Sequence, residues 1–369
     1  MTLVSLFDGI GTWQASAKDA GIKPLWSSEI DKFCCQVTAR HFPETIQLGD
    51  IKLIQDAPYV DIITVGSPCQ DVSIAGKREG IKGEKSGLFF KAVELVRRIN
   101  PRFFVWENVP CAFSSNGGND FRAVLEELLQ ESVPLPRHWS NAGVVDGRKC
   151  QIAWRLLDTQ YWGVPQRRKR IFLVADFAGR RAAKILFERE GVSRDIAAGE
   201  DARENSATRT QNRVDCTVYD NHWKDSRINR VSKIAPMVSA MYGTGGNNIP
   251  FVTYGLKLNS TCDYACELEP TQRAAPFACV ATNIVRRLTP LECERLQGLP
   301  DDWTVGGSDA QRYKAIGNGM AKPCSDWILK RIWDGIGGEK AVGRVATIGC
   351  TLITLYTVIF TTLPKVGVW

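Results

Sequence analysis

The chain has 369 residues, 44% of them hydrophobic, enough for one large domain or two moderate ones around a sizeable core, which excludes global disorder. A formal net charge of +7 permits a polyanionic partner without demanding one, since many enzymes share that balance. The opening residues lack an export signal, so the twelve cysteines fit a reducing compartment, not a disulfide framework. No spacing among them and the three histidines matches a zinc module, and no metal is expected.

In chain order, residues 3–7 read as a strand closed by the turn Asp8-Gly9-Ile10-Gly11. Residues 60–65 form a second apolar run, followed at once by Gly66-Ser67-Pro68-Cys69-Gln70. Residues 103–106 form a third, followed by Glu107-Asn108-Val109. Between them Leu88, Ala92, Leu95, Val96 and Ile99 recur at helical spacing, as do Phe121, Val124, Leu125, Leu128 and Leu129. Gln166-Arg167-Arg168-Lys169-Arg170 leads into another strand at 171–175. Strands alternating with crossover helices predict an α/β fold with a mostly parallel sheet, whose ligands bind beyond the carboxyl ends of its strands.

Regularity dissolves near 179 and returns at Arg287, so 179–285 reads as a separate small domain or a set of loops. Thr289-Pro290-Leu291-Glu292 is a capping box opening a helix to about Gln297. A last ordered unit spans 313–333, with Gly317-Asn318-Gly319 as a turn before a helix. Residues 345–364 carry no charge and are long enough to cross a bilayer, but their threonines favour a tail that packs or pairs as a strand, and no membrane partner is expected.

The chemistry gathers just after the strands. Cys69 directly follows a buried strand and a proline, a rigid place for a nucleophile at the ligand edge, although a buried cysteine alone is ordinarily an inert core residue. Glu107 points into the same crevice, where a carboxyl group suits general acid work or a hydrogen bond to a ring nitrogen. Gly9 and Gly11 let backbone approach a ligand, and Glu29 and Asp50 follow the next apolar runs, placed for ribose hydroxyls and an adenine amino group. Arg168 and Arg170 belong to a basic run suited to phosphates or a base carbonyl.

Taken singly, each motif is weak. Their order, from Phe7-Asp8-Gly9-Ile10-Gly11 through Glu29, Asp50, Pro68-Cys69-Gln70, Glu107-Asn108-Val109, Gln166-x-Arg168-x-Arg170 and Arg287-Leu288-Thr289-Pro290-x-Glu292 to Gly317-Asn318-Gly319, resembles the DNA (cytosine-5) methyltransferases of bacteria and phages. The resemblance covers about 1–178 and 286–333. It implies a Rossmann-like catalytic domain formed by 1–178 and 286–335, a target recognition domain at 179–285, and a tail at 336–369 with no counterpart in the family. It further implies S-adenosylmethionine as methyl donor, held by Phe7, Gly9, Gly11, Glu29, Ile30, Asp50, Ile51, Pro68 and Asn318.

By the same resemblance Cys69 attacks carbon 6 of a cytosine flipped out of duplex DNA. Glu107 binds the ring nitrogen 3 side, Arg168 holds the base carbonyl, and Arg170 is the more structural arginine. The glycine-rich basic stretch from Gln70 to Gly87 becomes a lid over DNA. The resemblance departs at Thr12, where many members carry a second glycine. A monomer in the bacterial cytoplasm, with or without a cognate restriction endonuclease, completes the expectation. A transfer-RNA methyltransferase and a non-catalytic DNA-binding protein on the same scaffold are the alternatives.

Overall fold

The computed structural model describes residues 1–55, 57–66, 87–187, 215–221, 228–231, 235–243, 249–255 and 284–335. Apolar runs form strands β1 (Thr2–Leu6), β2 (Lys23–Ser28), β3 (Ile46–Gln47), β4 (Ile62–Val65) and β5 (Phe103–Asn108). Three more follow, β6 (Ala142–Asp146), β7 (Gln151–Asp158) and β8 (Lys169–Asp176). The eight make one sheet in the order β3-β2-β1-β4-β5-β8-β7-β6. The first five in that order are mutually parallel, while β8, β7 and β6 are antiparallel to their neighbours. The mostly parallel α/β sheet expected from the sequence is present, extended by an antiparallel flank.

Helices α1 (Thr12–Asp19), α2 (Lys32–His41), α3 (Gly87–Ile99), α4 (Asn119–Leu129) and α5 (Ala182–Leu186) connect or follow these strands. On one face α3 and α4 bury Phe89, Val93, Val96, Phe121 and Leu125 against Val4, Ile63, Phe104 and Trp106. On the other, α1 and α5 bury Trp13, Ala17, Ile185 and Leu186 against Leu3, Val105, Phe172 and Val174. Covering both faces explains why β1, β4 and β5 read as nearly unbroken apolar runs.

Residues 215–287 contribute a second sheet from β9 (Asp215–Asn221), β10 (Ile228–Val231), β11 (Phe251–Gly255) and β12 (Ile284–Arg287), all antiparallel, in the order β10-β9-β11-β12. Helix α6 (Pro290–Leu296) opens on the predicted capping box, with Thr289 Oγ1 accepting from the Glu292 amide and Glu292 accepting from the Thr289 amide. Helix α7 (Asp309–Asn318) starts on a second such box at Ser308 and Gln311. Helix α8 covers 322–335.

Gly317-Asn318-Gly319 is not the free-standing turn that the sequence suggested. Gly317 and Asn318 complete α7, and Gly319 caps it. The reason is steric. A Cβ on Gly317 would lie 2.1 Å from the Ala240 amide nitrogen and 2.2 Å from the Ser239 carbonyl carbon, so only glycine lets the 235–243 segment lie on the helix. That segment joins Ile10, Phe33, Trp303 and Ile316 in a third apolar cluster through Val238 and Tyr242. Gly317→Ala is expected to cost about 1–3 kcal/mol as backbones separate, read by circular dichroism as a thermal midpoint lower by about 2–4 °C per kcal/mol.

Candidate active site

The turn after β1 leaves the sheet through two left-handed residues, Phe7 (φ 54) and Gly9 (φ 57), and Gly11 (φ 80) caps α1. A Cβ added at Gly9 would meet nothing within 4 Å, so this backbone faces open space; at Gly11 it would strike the Phe42 ring at 2.8 Å. Glu29, at the end of β2, fixes the turn. Its Oε2 accepts from the Gly9 amide at 2.8 Å, and its Oε1 accepts from the Ile30 and Asp31 amides at 2.8 Å each. Ile30 then projects 73% exposed beside that carboxylate.

Asp50 accepts from the Lys52 amide at 2.9 Å and caps a 3-10 turn, Ile51–Leu53. Phe7, Gly9, Glu29, Ile30 and Asp50 therefore meet at the carboxyl ends of β1, β2 and β3, with backbone, carboxylate and exposed apolar surface together. These groups fit a nucleoside-bearing cofactor: carboxylates for hydroxyls, an apolar wall for a base. Ile51 is buried in the core among Leu6 and Trp26 and supports this crevice from behind. Asn318 is exposed at the end of α7, whose cap Gly319 lies against Ile10. Pro68, Cys69 and the proposed lid at 70–86 lie outside the described residues; Gly66, which precedes them, leaves the edge of β4 beside the Phe7 carbonyl.

Asp8 enters the sequence reading only as a member of the turn motif. It is buried, accepts from the Gln14 side-chain amide and has one oxygen with no partner among the described residues. Burial pushes its carboxyl up from 3.8 to about 7, and the nearby Glu29 charge adds to the rise. Its clue in the sequence was Gln14, in the first turn of α1, an amide that needs a partner once buried.

Glu107 ends β5, and antiparallel β8 brings Arg170 to it from the opposite direction. Glu107 Oε1 and Arg170 Nε are 3.0 Å apart, with side chains 14% and 11% exposed. Arg168 sits elsewhere. It is 1% exposed, and its guanidinium donates to the carbonyls of Val238 and Gly317, at 3.0 Å each, and of Gly319. Burial, with Arg170 nearby, lowers its pKa to about 9. The expectation gave Arg168 the base and Arg170 a structural part, but the placement differs: both turn inward, and Arg168, just before β8, reaches backbone carbonyls, whereas Arg170, inside β8, lies against Glu107. Gln166, also buried, donates to the Leu296 carbonyl at 2.8 Å and accepts from the Val238 amide at 3.2 Å.

Among the described residues no three His, Cys, Asp or Glu side chains gather as a metal site, and no helix is long and apolar enough to cross a membrane.

A mainly parallel sheet with acids at the ends of adjacent strands and an acid–arginine pair beside them defines an α/β methyltransferase scaffold. The sequence model of the C-5 cytosine-specific DNA methylases matches residues 1–334. The chain is 29% identical to the Type II methyltransferase M.NgoBI of Neisseria gonorrhoeae, over 87% of this chain and 89% of that one. A protein of Escherichia phage P1 named DNA N-6-adenine-methyltransferase is 27% identical over 91% of this chain, which spans 61% of that protein's length. The Dnmt2 methyltransferase structure from S. pombe shares the fold with a TM-score of 0.56 at 14% identity, covering 91% of this chain and 99% of that one. The chain belongs to the C-5 cytosine-specific DNA methylases and transfers a methyl group from S-adenosylmethionine to cytosine carbon 5.

Two expectations follow from the site. Between pH 4 and 7 the folded protein keeps a proton on Asp8 that the unfolded chain has released, so stability falls as pH rises through that window. Against Asp8→Asn, which cannot ionise, wild type is expected to lose about 4 kcal/mol across it, measured by urea unfolding at a series of pH values. Arg168→Met leaves three buried carbonyls without their donor, each worth about 1–3 kcal/mol, and a large drop in urea midpoint is expected.

Proposed function

We propose that this chain methylates a cytosine flipped out of a specific duplex DNA sequence, with Cys69 as nucleophile and the Glu107–Arg170 pair holding the base. The observation that carries the reading is that pair, half-buried at the carboxyl edge next to β4, whose chain runs on to Cys69. A cytosine ring is a poor electrophile, so attack requires a nucleophile and a proton donor together. The Cys69 thiolate forms a bond to carbon 6 as Glu107 delivers a proton to nitrogen 3, which leaves carbon 5 electron-rich. Arg170 holds the Glu107 carboxyl and faces the base carbonyl. After methylation a water takes the carbon 5 proton, the 5,6 double bond re-forms as the thiolate is expelled, and nitrogen 3 returns its proton to Glu107.

S-adenosylmethionine, when bound, supplies an electrophilic methyl group. Phe7, Gly9, Glu29, Ile30 and Asp50 would hold it, with Gly11, Ile51, Pro68 and Asn318 shaping the pocket. No metal enters the scheme. The 215–287 sheet, most of it within 179–285, is the proposed target recognition module, joined to the catalytic sheet through 235–243, while 1–178 and 286–335 form the catalytic part. The tail at 336–369 has no role in this scheme. We further propose a bacterial or phage-encoded cytoplasmic monomer; the Type II name of the Neisseria relative supports work beside a cognate endonuclease.

The test incubates methyl-labelled S-adenosylmethionine with mixed-sequence duplex DNA or transfer RNA, then identifies the labelled base. Label in 5-methylcytosine of DNA is expected for wild type, none for Cys69→Ser, and a rate about 10²–10⁴-fold lower for Glu107→Gln. Label in adenine or confined to transfer RNA would overturn the substrate.

A further inference from the structure

The basic run at 167–170 is divided by the strand it enters. Arg168 and Arg170 turn inward, whereas Arg167 and Lys169 are exposed on the other side. There they line an open cleft of about 550 Å³ with Arg155, Tyr161, Trp162 and Asp158. The cleft lies where β7 ends and β8 begins. Because β8 runs antiparallel to β5, that is the same sheet edge as Glu107.

Its charge is unbalanced. Asp158, the carboxylate in the cleft, is occupied: Oδ1 accepts from the Arg168 amide at 3.2 Å and Oδ2 from the Gln160 side chain at 2.7 Å. Arg155 is held in place by the Leu186 carbonyl at 3.0 Å. Among the described residues neither Arg167 nor Lys169 has a carboxylate within ion-pair distance. Tyr161, 63% exposed, adds a flat ring to the lining of the same cleft. The positive surface continues past Trp162, whose ring packs 4.6 Å from Trp327, to Arg331 stacked on that indole at 5.1 Å.

We propose that this cleft binds the phosphodiester backbone of duplex DNA that flanks the target base, a contact separate from the cytosine site. The inference rests on the proposed function. An open group of cations without an enclosing donor set suits a repeating polyanion better than a small anion, because each neutralised phosphate releases counterions. It lies on the edge to which duplex DNA must come for its base to reach Glu107.

The test measures affinity for labelled duplexes of about one and about three helical turns over a salt series, by fluorescence anisotropy. Arg167→Gln with Lys169→Gln is expected to weaken binding of the longer duplex about tenfold at low salt. It is also expected to flatten the log–log salt dependence by about two units, about one per lost cation. Arg167→Lys with Lys169→Arg, which keeps both charges, should retain the wild-type slope and shows that the scaffold tolerates change there. Lys18→Gln with Lys23→Gln removes the same charge at the opposite sheet edge and should leave the slope unchanged. Equal affinity and slope for wild type and the first double variant overturn the proposal, as does an equal loss in the Lys18/Lys23 control or an effect seen on transfer RNA alone. A wild type that binds duplex through this cleft but labels no DNA base would sink the functional reading and leave the cleft standing.

Discussion

A buried guanidinium holds this enzyme's parts together. Arg168 has left water to donate to carbonyls of the 235–243 segment and of the α7 terminus, two stretches about eighty residues apart in the chain. Removing a cation from solvent is costly unless hydrogen bonds replace its hydration, and its lowered pKa reports that cost. Gln166, two residues earlier, fastens the same segment to the end of α6. The entry to β8 is thus the point at which catalytic sheet, closing helices and the approach to the second sheet are registered against one another.

The polarity of β8 then matters for chemistry. In an all-parallel sheet every residue at the carboxyl edge comes from a strand end, whereas an antiparallel strand presents its beginning there. Arg170 reaches Glu107 for that reason, and the alternation that aims it inward aims Lys169 outward. Arg168 shares the inward side but lies before the strand begins, where it meets backbone carbonyls instead of Glu107.

Much of the scaffold was legible in sequence because its causes are local. The apolar runs at β1, β4 and β5, the helical spacing in α3 and α4 and the capping box of α6 each declare themselves within a dozen residues. The crevice-lining positions Gly9, Glu29 and Asp50 were legible from their place after strands. What escaped depends on distant partners. The strands β6 and β7 carry Arg155 and flanking polar residues that break the apolar pattern, and β7 becomes a strand by pairing with β8, β6 by pairing with β7. The roles of Arg168 and Arg170 follow from register, which a short basic run does not reveal. Gly317 resembles a turn residue until Ala240 is placed against it. Cys69 remains a reading of the sequence and of the family.

The order of synthesis bears on β1 and the turn after it. β1 is among the first residues made, yet the turn that follows it is completed by the last described ones: the Trp303 indole donates to the Ile10 carbonyl at 2.8 Å, and Ser16 and Ser325 hydroxyls meet at 2.7 Å. Between these partners lie about three hundred residues, which include the whole second sheet. On the ribosome the turn after β1 must therefore wait, with one flank of α1 bare, while the whole second sheet is translated. Contacts of such long range slow folding and expose apolar surface in the interim. An emerging chain thus completes the second sheet before the contacts that pack the turn after β1, and termination ahead of Trp303 yields a fragment without them.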